Sequence, residues 1–182
     1  MSISSVMYFV SKPNNRSFFG DQGQLNTLGK ICVDPFENFK GLTEVNGKKY
    51  YIHTREPTSW PLANKFCKDF GMTLASLKTE KEMIDLFHAT QKVSAFDSWW
   101  VSAKYDGGVF KWEDGTVLGL DSNIWGKNYS QPSDYLKNKN VCTDFHSGIY
   151  SGLHDSPCSA NYRFICETNL NYLRACSITK TT

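Results

Sequence analysis

Thr58 to Leu77 reads TSWPLANKFCKDFGMTLASL, and this stretch decides the fold. Thr58 is a suitable N-cap, Pro61 falls in the tolerant first turn, and Gly71 is a stop. Leu62, Phe66 and Phe70 recur every four residues with Cys67 beside them, which predicts a helix with one cysteine on its buried stripe. Just downstream, Thr79 and Glu82 form a capping box ahead of Met83, Ile84, Leu86 and Phe87, which predicts a second helix. Upstream, KKYYIH follows the turn signal Asn46-Gly47 and reads as a strand. After about residue 95 the helical period ends. Short runs follow (SWWVSAKY, VFKWED, NVCTDF, SGLHDSPC and YRFICET), separated by Gly-Gly, Asp-Gly and Gln-Pro-Ser punctuation. Two helices followed by short strands predict an α+β domain, with mixed short-stranded sheets and a long loop from Thr116 to Asn140.

At 182 residues the chain suits one domain with a substantial core and some additional segment. Residues 1–46 are rich in Asn, Gly, Ser and Gln and read as an irregular extension; 47–168 form the domain and 169–182 a tail. The 20 basic and 18 acidic side chains leave a net charge of +2 with no clustered basic run, so nucleic acid is not the expected partner. No stretch has the length of a membrane span. Six cysteines without a CxxC or zinc-like spacing point to disulfides and an oxidising, extracellular compartment. The opening residues MSISSVMYFVSKPNN have no basic region and too short an apolar run for a secretory signal, so the expectation is a secreted protein whose signal is not evident here. Neither GxSxG nor HExxH nor a phosphate-cradling glycine loop is present, and no enzymatic activity is expected.

From about Lys48 to Thr168 these residues closely resemble the C-type lectin-like domain. The helix motif with Trp60 and Cys67, the run Trp100-Val101-Ser102-Ala103 and the hairpin Phe110-Lys111-Trp112-Glu113-Asp114-Gly115 stand in the family's order. So do Trp125, Gln131-Pro132-Ser133, Cys142, Cys158 and Phe164-Ile165-Cys166-Glu167. The resemblance implies a compact lower half, a long upper loop that carries ligand binding, and the pairings Cys67–Cys166 and Cys142–Cys158. Cys32 and Cys176 then remain. They flank the domain and pair either with each other or between chains.

Sugar-binding members of the family hold calcium at the long loop. By resemblance the ligand positions here are Gln131, presented by a cis-Pro132, then Ser133, Asn140, His154 and Asp155. Gln131-Pro132 leans toward the family's galactose-type motif, and Ser133 departs from it. Calcium takes roughly six to eight oxygen ligands and is tuned by their charge. Gln131, Asn140 and Asp155 offer oxygens, Ser133 is a poor ligand, and His154 offers nitrogen, which a hard cation disfavours. One formal negative charge against a divalent ion predicts slight binding or none. Asp134 could contribute if the loop shifts by one residue, and Asp144 lies nearby. Tyr129 and Tyr135 could stack on a sugar ring, and Tyr150 likewise; Trp125 is expected to pack inside. His146 and His154 could form a pH-sensitive patch. Asn15 and Asn128 begin glycosylation sequons, the second in the binding loop.

The expected function is therefore a carbohydrate-binding module of the C-type lectin-like kind, secreted for pattern recognition, with a glycan or glycoprotein ligand and a depleted calcium site. One alternative is a calcium-independent protein-binding module on the same fold, and another is an extracellular structural or matrix protein.

Overall fold

The computed structural model describes residues 41–94, 97–126, 130–147 and 152–168. Cys32, Cys176, Asn15, Asn128, Tyr129 and Tyr150 lie outside the described residues. The chain opens with a hairpin: β1 (Leu42–Val45) and β2 (Lys48–Thr58) pair antiparallel from Val45↔Lys48 outward. Its two-residue turn is Asn46-Gly47, with φ of 51° and 75°. Both values lie in the left-handed region that this turn type needs, which Asn tolerates and Gly prefers. The sequence reading recognises the turn but leaves β1 inside the irregular stretch, because LTEV is too short and too polar to stand out.

Helix α1 (Trp60–Asp69) starts one residue later than expected, after Ser59, whose side chain makes no capping bond. Thr58 cannot serve as the cap because β2 still holds it: it pairs with Tyr162, and its carbonyl accepts from Trp100 Nε1 at 2.8 Å. The buried stripe also differs from expectation. It runs through Trp60, Ala63 and Cys67, while Leu62 is 60 % exposed and Phe70 is 37 % exposed. Both stripes obey a helical period, and the sheet selects the one that carries the disulfide cysteine. Strand β3 (Met72–Leu74) follows the turn at Gly71, where φ is 70°. Helix α2 (Glu80–Gln91) has the expected cap: Glu82 N donates to Thr79 Oγ1 at 3.1 Å, and Glu82 Oε2 reaches back to accept from Lys78 N at 2.9 Å.

Six further strands complete the sheet: β4 (Ser98–Asp106), β5 (Val109–Lys111), β6 (Val117–Leu118), β7 (Val141–His146), β8 (Gly152–Pro157) and β9 (Tyr162–Thr168). Among the described residues the order is β1-β2-β9-β4-β5-β6, with β3 on β9, and β7 joining β4 to β8. Among the described strands only the β4–β9 pair is parallel and the other strand pairs are antiparallel.

Strand β4 explains the two cores. Successive residues of a strand face opposite ways, so Trp99 and Trp100, both fully buried, enter different clusters. Trp99 joins Leu86, Phe110, Trp125, Phe145, Leu153 and Ile165. Trp100 joins Trp60, Met72, Leu74, Phe164 and all four bridged cysteines. The bridges are Cys67–Cys166 and Cys142–Cys158, as the resemblance implies. Four tryptophan N–H groups find acceptors: Trp100 at Thr58 O, Trp60 at Val101 O, Trp125 at Gly119 O and Trp99 at Ser147 Oγ. The first part of the long loop segment, from Leu118 to Trp125, is thus anchored inside, since Leu118, Ile124 and Trp125 are buried and Trp125 bridges to Leu153.

Candidate functional site

The β7–β8 hairpin carries polar side chains on both of its faces. On one face Asp155 is 2 % exposed and gathers the loop around it. Its Oδ1 accepts from Ser133 N at 2.7 Å and its Oδ2 from Tyr135 N at 2.6 Å. Its own N donates to Gln131 Oε1 at 3.3 Å. The Gln131–Pro132 peptide is cis. Alternate residues 131, 133 and 135 therefore all bond to Asp155, Gln131 at its backbone N–H and Ser133 and Tyr135 at its carboxylate, and a short 3-10 turn (Asp134–Leu136) completes the bend.

The other expected ligands do not join this group. His154 follows Leu153 on β8 and so faces the opposite way from Asp155; it lies opposite Asp144 and stacks on His146, with ring centroids 5.5 Å apart. Asn140 uses its backbone: its N donates to Asn138 Oδ1 and its O accepts from Cys158 N. Asp134 heads the 3-10 turn, and its carboxylate makes no ion pair among the described residues. Asp144 sits on the His154 face, 1 % exposed, accepting from Ser156 Oγ at 2.8 Å. Burial pushes its carboxyl up to about 7, against the lowering effect of its Ser156 and Ser98 bonds. Burial likewise pushes His154 down to about 4, with His146 adding to the effect. Among the described residues no three His, Cys, Asp or Glu side chains are grouped to hold a metal ion.

Strand parity was the available signal for this split. In SGLHDSPC, adjacent residues of one strand cannot both face the loop. Close backbone contact fixes the same region: a Cβ on Gly152 would come within 2.6 Å of Gly126 Cα, and one on Gly126 within 2.7 Å of His154 Nε2. Tyr135 is partly buried, its ring 5.4 Å from Tyr105 and 5.8 Å from Phe110. Trp125 packs edge-on to Phe110 at 5.0 Å, an internal position as expected.

An Asp155→Asn substitution tests whether this carboxylate organises the loop. An amide presents a donor to one of two backbone donors, so one hydrogen bond is replaced by a clash. Loss of a charge-assisted bond at a buried site costs about 2 kcal/mol. The expected outcome is faster amide exchange at Ser133 and Tyr135 with β4 and β9 still protected; unchanged exchange at both would show that the loop is held otherwise.

The lectin C-type domain model matches residues 56–168, well over half of the chain. The chain belongs to the C-type lectin domain family. Relatives include a lectin of Polyandrocarpa misakiensis, 32 % identical over 124 residues that cover 66 % of this chain and 95 % of that protein. Another is C-type lectin domain family 4 member F of Mus musculus, 28 % identical over 133 residues, covering 71 % of this chain. The chain spans only 23 % of that second protein's length. Among solved structures, TC14, a C-type lectin from the tunicate Polyandrocarpa misakiensis, superposes with a TM-score of 0.55 at 28 % identity, covering 66 % of this chain and 98 % of that one. The Ca2+-independent C-type lectin SPL-2 from Saxidomus purpuratus shares the fold at a TM-score of 0.58 and 21 % identity, covering 70 % and 91 %. This C-type lectin domain is accordingly a lectin-type binding module and not an enzyme. Among the described residues no helix is long and apolar enough to cross a membrane.

Proposed function

We propose that the chain is an extracellular lectin module that binds a glycan or glycoprotein on the face formed by residues 130–140, without calcium. The observation that carries this reading is the state of Asp155. It is the one carboxylate retained among the positions that resemble the family's ligands, and backbone amides of Ser133 and Tyr135 already occupy both of its oxygens. Gln131 Oε1 is likewise engaged, by Asp155 N. His154, the nitrogen donor, faces away. Calcium requires roughly six to eight oxygens with enough charge among them, and this donor set does not fit it. Protein hydrogen bonds hold the loop in the shape that a metal would otherwise impose. The relatives reported above include a tunicate lectin, which supports a sugar ligand. Six cysteines, two pairs of them bridged in the structure, support an extracellular setting, where pattern recognition is the role proposed.

The test is calcium titration by calorimetry together with glycan-array binding in EDTA. Glycan signal that persists in EDTA, with no calcium heat, is expected. Glycan binding abolished by EDTA would overturn the metal-free reading. Leu136, 67 % exposed on the same turn, favours a second reading, a protein contact. An array that is silent with and without calcium would select that reading.

A further inference from the structure

Lys139 is exposed, yet it is held at three points. Its Nζ donates to the Tyr135 carbonyl at 2.8 Å. It lies 5.4 Å from the centroid of the Tyr105 ring and 5.7 Å from that of Tyr135. The two rings stand 5.4 Å apart and tilted by 42°, and both set an edge against Phe110, which is fully buried. A surface lysine ordinarily gains by keeping its rotamer freedom in water. Two ring faces and a carbonyl instead hold this ammonium in one place. Only one of its N–H donors is committed to that carbonyl.

The surrounding charge is predominantly positive, with Lys137 and Lys139 against one carboxylate on the same turn, Asp134, that is unpaired among the described residues. Lys137, exposed and two residues away, forms no ion pair among the described residues, nor does Lys139. Of the nearby carboxylates, Asp155 is buried and bound to backbone amides, and Asp106 pairs with Lys111 at 3.3 Å. Asp134 makes no ion pair with either lysine. Lys104, next to Tyr105 on β4, turns the other way and lies over Trp60. The positively charged spot therefore sits on the loop face itself, joined to the Asp155 knot through Tyr135, whose N donates to Asp155 Oδ2.

We propose that Tyr105, Lys139 and Tyr135 form a subsite for the acidic group of a saccharide, a carboxylate or a sulfate ester. The proposal rests on the reading of residues 130–140 as the glycan face and specifies the glycan's chemistry. The ammonium offers a pre-ordered charge-assisted donor to the anion, and the tyrosines, whose ring faces hold the ammonium, offer their hydroxyls to the adjoining sugar. Because the lysine is already ordered, binding need not pay again for fixing it.

The experiment compares the full chain's binding to immobilised N-acetyllactosamine, its sialylated form and its sulfated form, all in EDTA, at physiological and at high salt. One acidic form should bind about tenfold more tightly than the neutral sugar, a fold-change in the range of a charge-assisted bond, and the margin should shrink in high salt. Which acidic form wins identifies the source, carboxylate or sulfate. Lys139→Gln should abolish the acidic preference and Lys139→Arg should keep most of it. Lys104→Gln removes an equal charge from the opposite side and should leave the preference intact. Equal binding of all three sugars by the unsubstituted chain overturns the subsite but not the glycan face. A preference that survives Lys139→Gln, or is lost equally in Lys104→Gln, also overturns it. If none of the three sugars binds, both the subsite and the glycan reading fall.

Discussion

Replacing Cys67 and Cys166 together by alanine is expected to lower the melting temperature by roughly 15 °C and to leave the domain largely unfolded at 37 °C. The bridge closes a loop with a sequence separation of 99. In the chain-entropy model a loop of that length is worth about 4–5 kcal/mol, against a total stability of about 5–15. For a domain of this size each kcal/mol moves the midpoint by about 3–5 °C. The effect is compounded by packing, since both cysteines are fully buried in the cluster with Trp60, Trp100 and Phe164. The bridge also ties α1 to β9, the strand that pairs with β2, β3 and β4. Removing Cys142 and Cys158 opens a loop with a separation of only 16 and should cost less, about 3 kcal/mol. Calorimetry on the two double variants checks the order; a larger loss for the shorter loop would contradict it.

Asp144→Asn and His154→Asn should tilt the pH dependence of stability in opposite directions. Asp144 titrates near 7 in the folded state against 3.8 ordinarily. Between those values the folded chain holds a proton that the unfolded chain has released, so this group's contribution falls as pH rises from about 4 to about 7. The whole swing is on the order of 4 kcal/mol. His154 is lowered from 6.5 to about 4, so the unfolded chain holds the extra proton over that interval, and the contribution rises with pH, by about 3 kcal/mol at most. The two residues lie opposite each other in the β7–β8 register. Between about pH 4 and 6.5 their proton changes on folding cancel. Asp144→Asn exposes the rising slope of His154, and His154→Asn the falling slope of Asp144. Glu167, raised to about 7 chiefly by burial, adds a falling background common to all three proteins. Urea unfolding at pH 4.5, 5.5, 6.5 and 7.5 (~1-unit steps across the two titrations) reads the slopes. Parallel curves for the two variants would show that neither group is perturbed as described.

Much of the fold is legible in the residues because it depends on local chemistry. The capping pair Thr79 and Glu82, the Asn46-Gly47 turn and the short runs between turn residues that become β7, β8 and β9 each report their own backbone. The start of α1 is not legible, because Thr58 and Ser59 are both good caps and a tryptophan from β4 claims the carbonyl of the first. Nor is its buried face, because Leu62-Phe66-Phe70 and Trp60-Ala63-Cys67 are equally periodic until a sheet covers one of them. Short β3 and β6 have no periodic signature at all; they form because β9 and β5 present unpaired edges to them.

The candidate site divides in the same way. Which atoms the loop could offer a cation was fixed by residue type, and Ser133, Asn140 and His154 already argued against calcium. Whether the remaining oxygens were free was a matter of tertiary placement: only in the folded chain do the amides of Ser133 and Tyr135 close on Asp155. Asp144 looked like a spare ligand in sequence and proved to be buried on the other face, partnered by Ser156. Lys139 drew no notice in the sequence, since its ring partners come from β4 and from the turn before it. By itself the sequence determined the family, the four-cysteine frame with its helices, and the poverty of charge at the calcium positions, because each is a property of residue types and near-neighbour spacing. The tertiary structure alone decided which polar atoms are consumed and which charges stand unpaired beside the loop, because both depend on contacts between segments that only folding brings together.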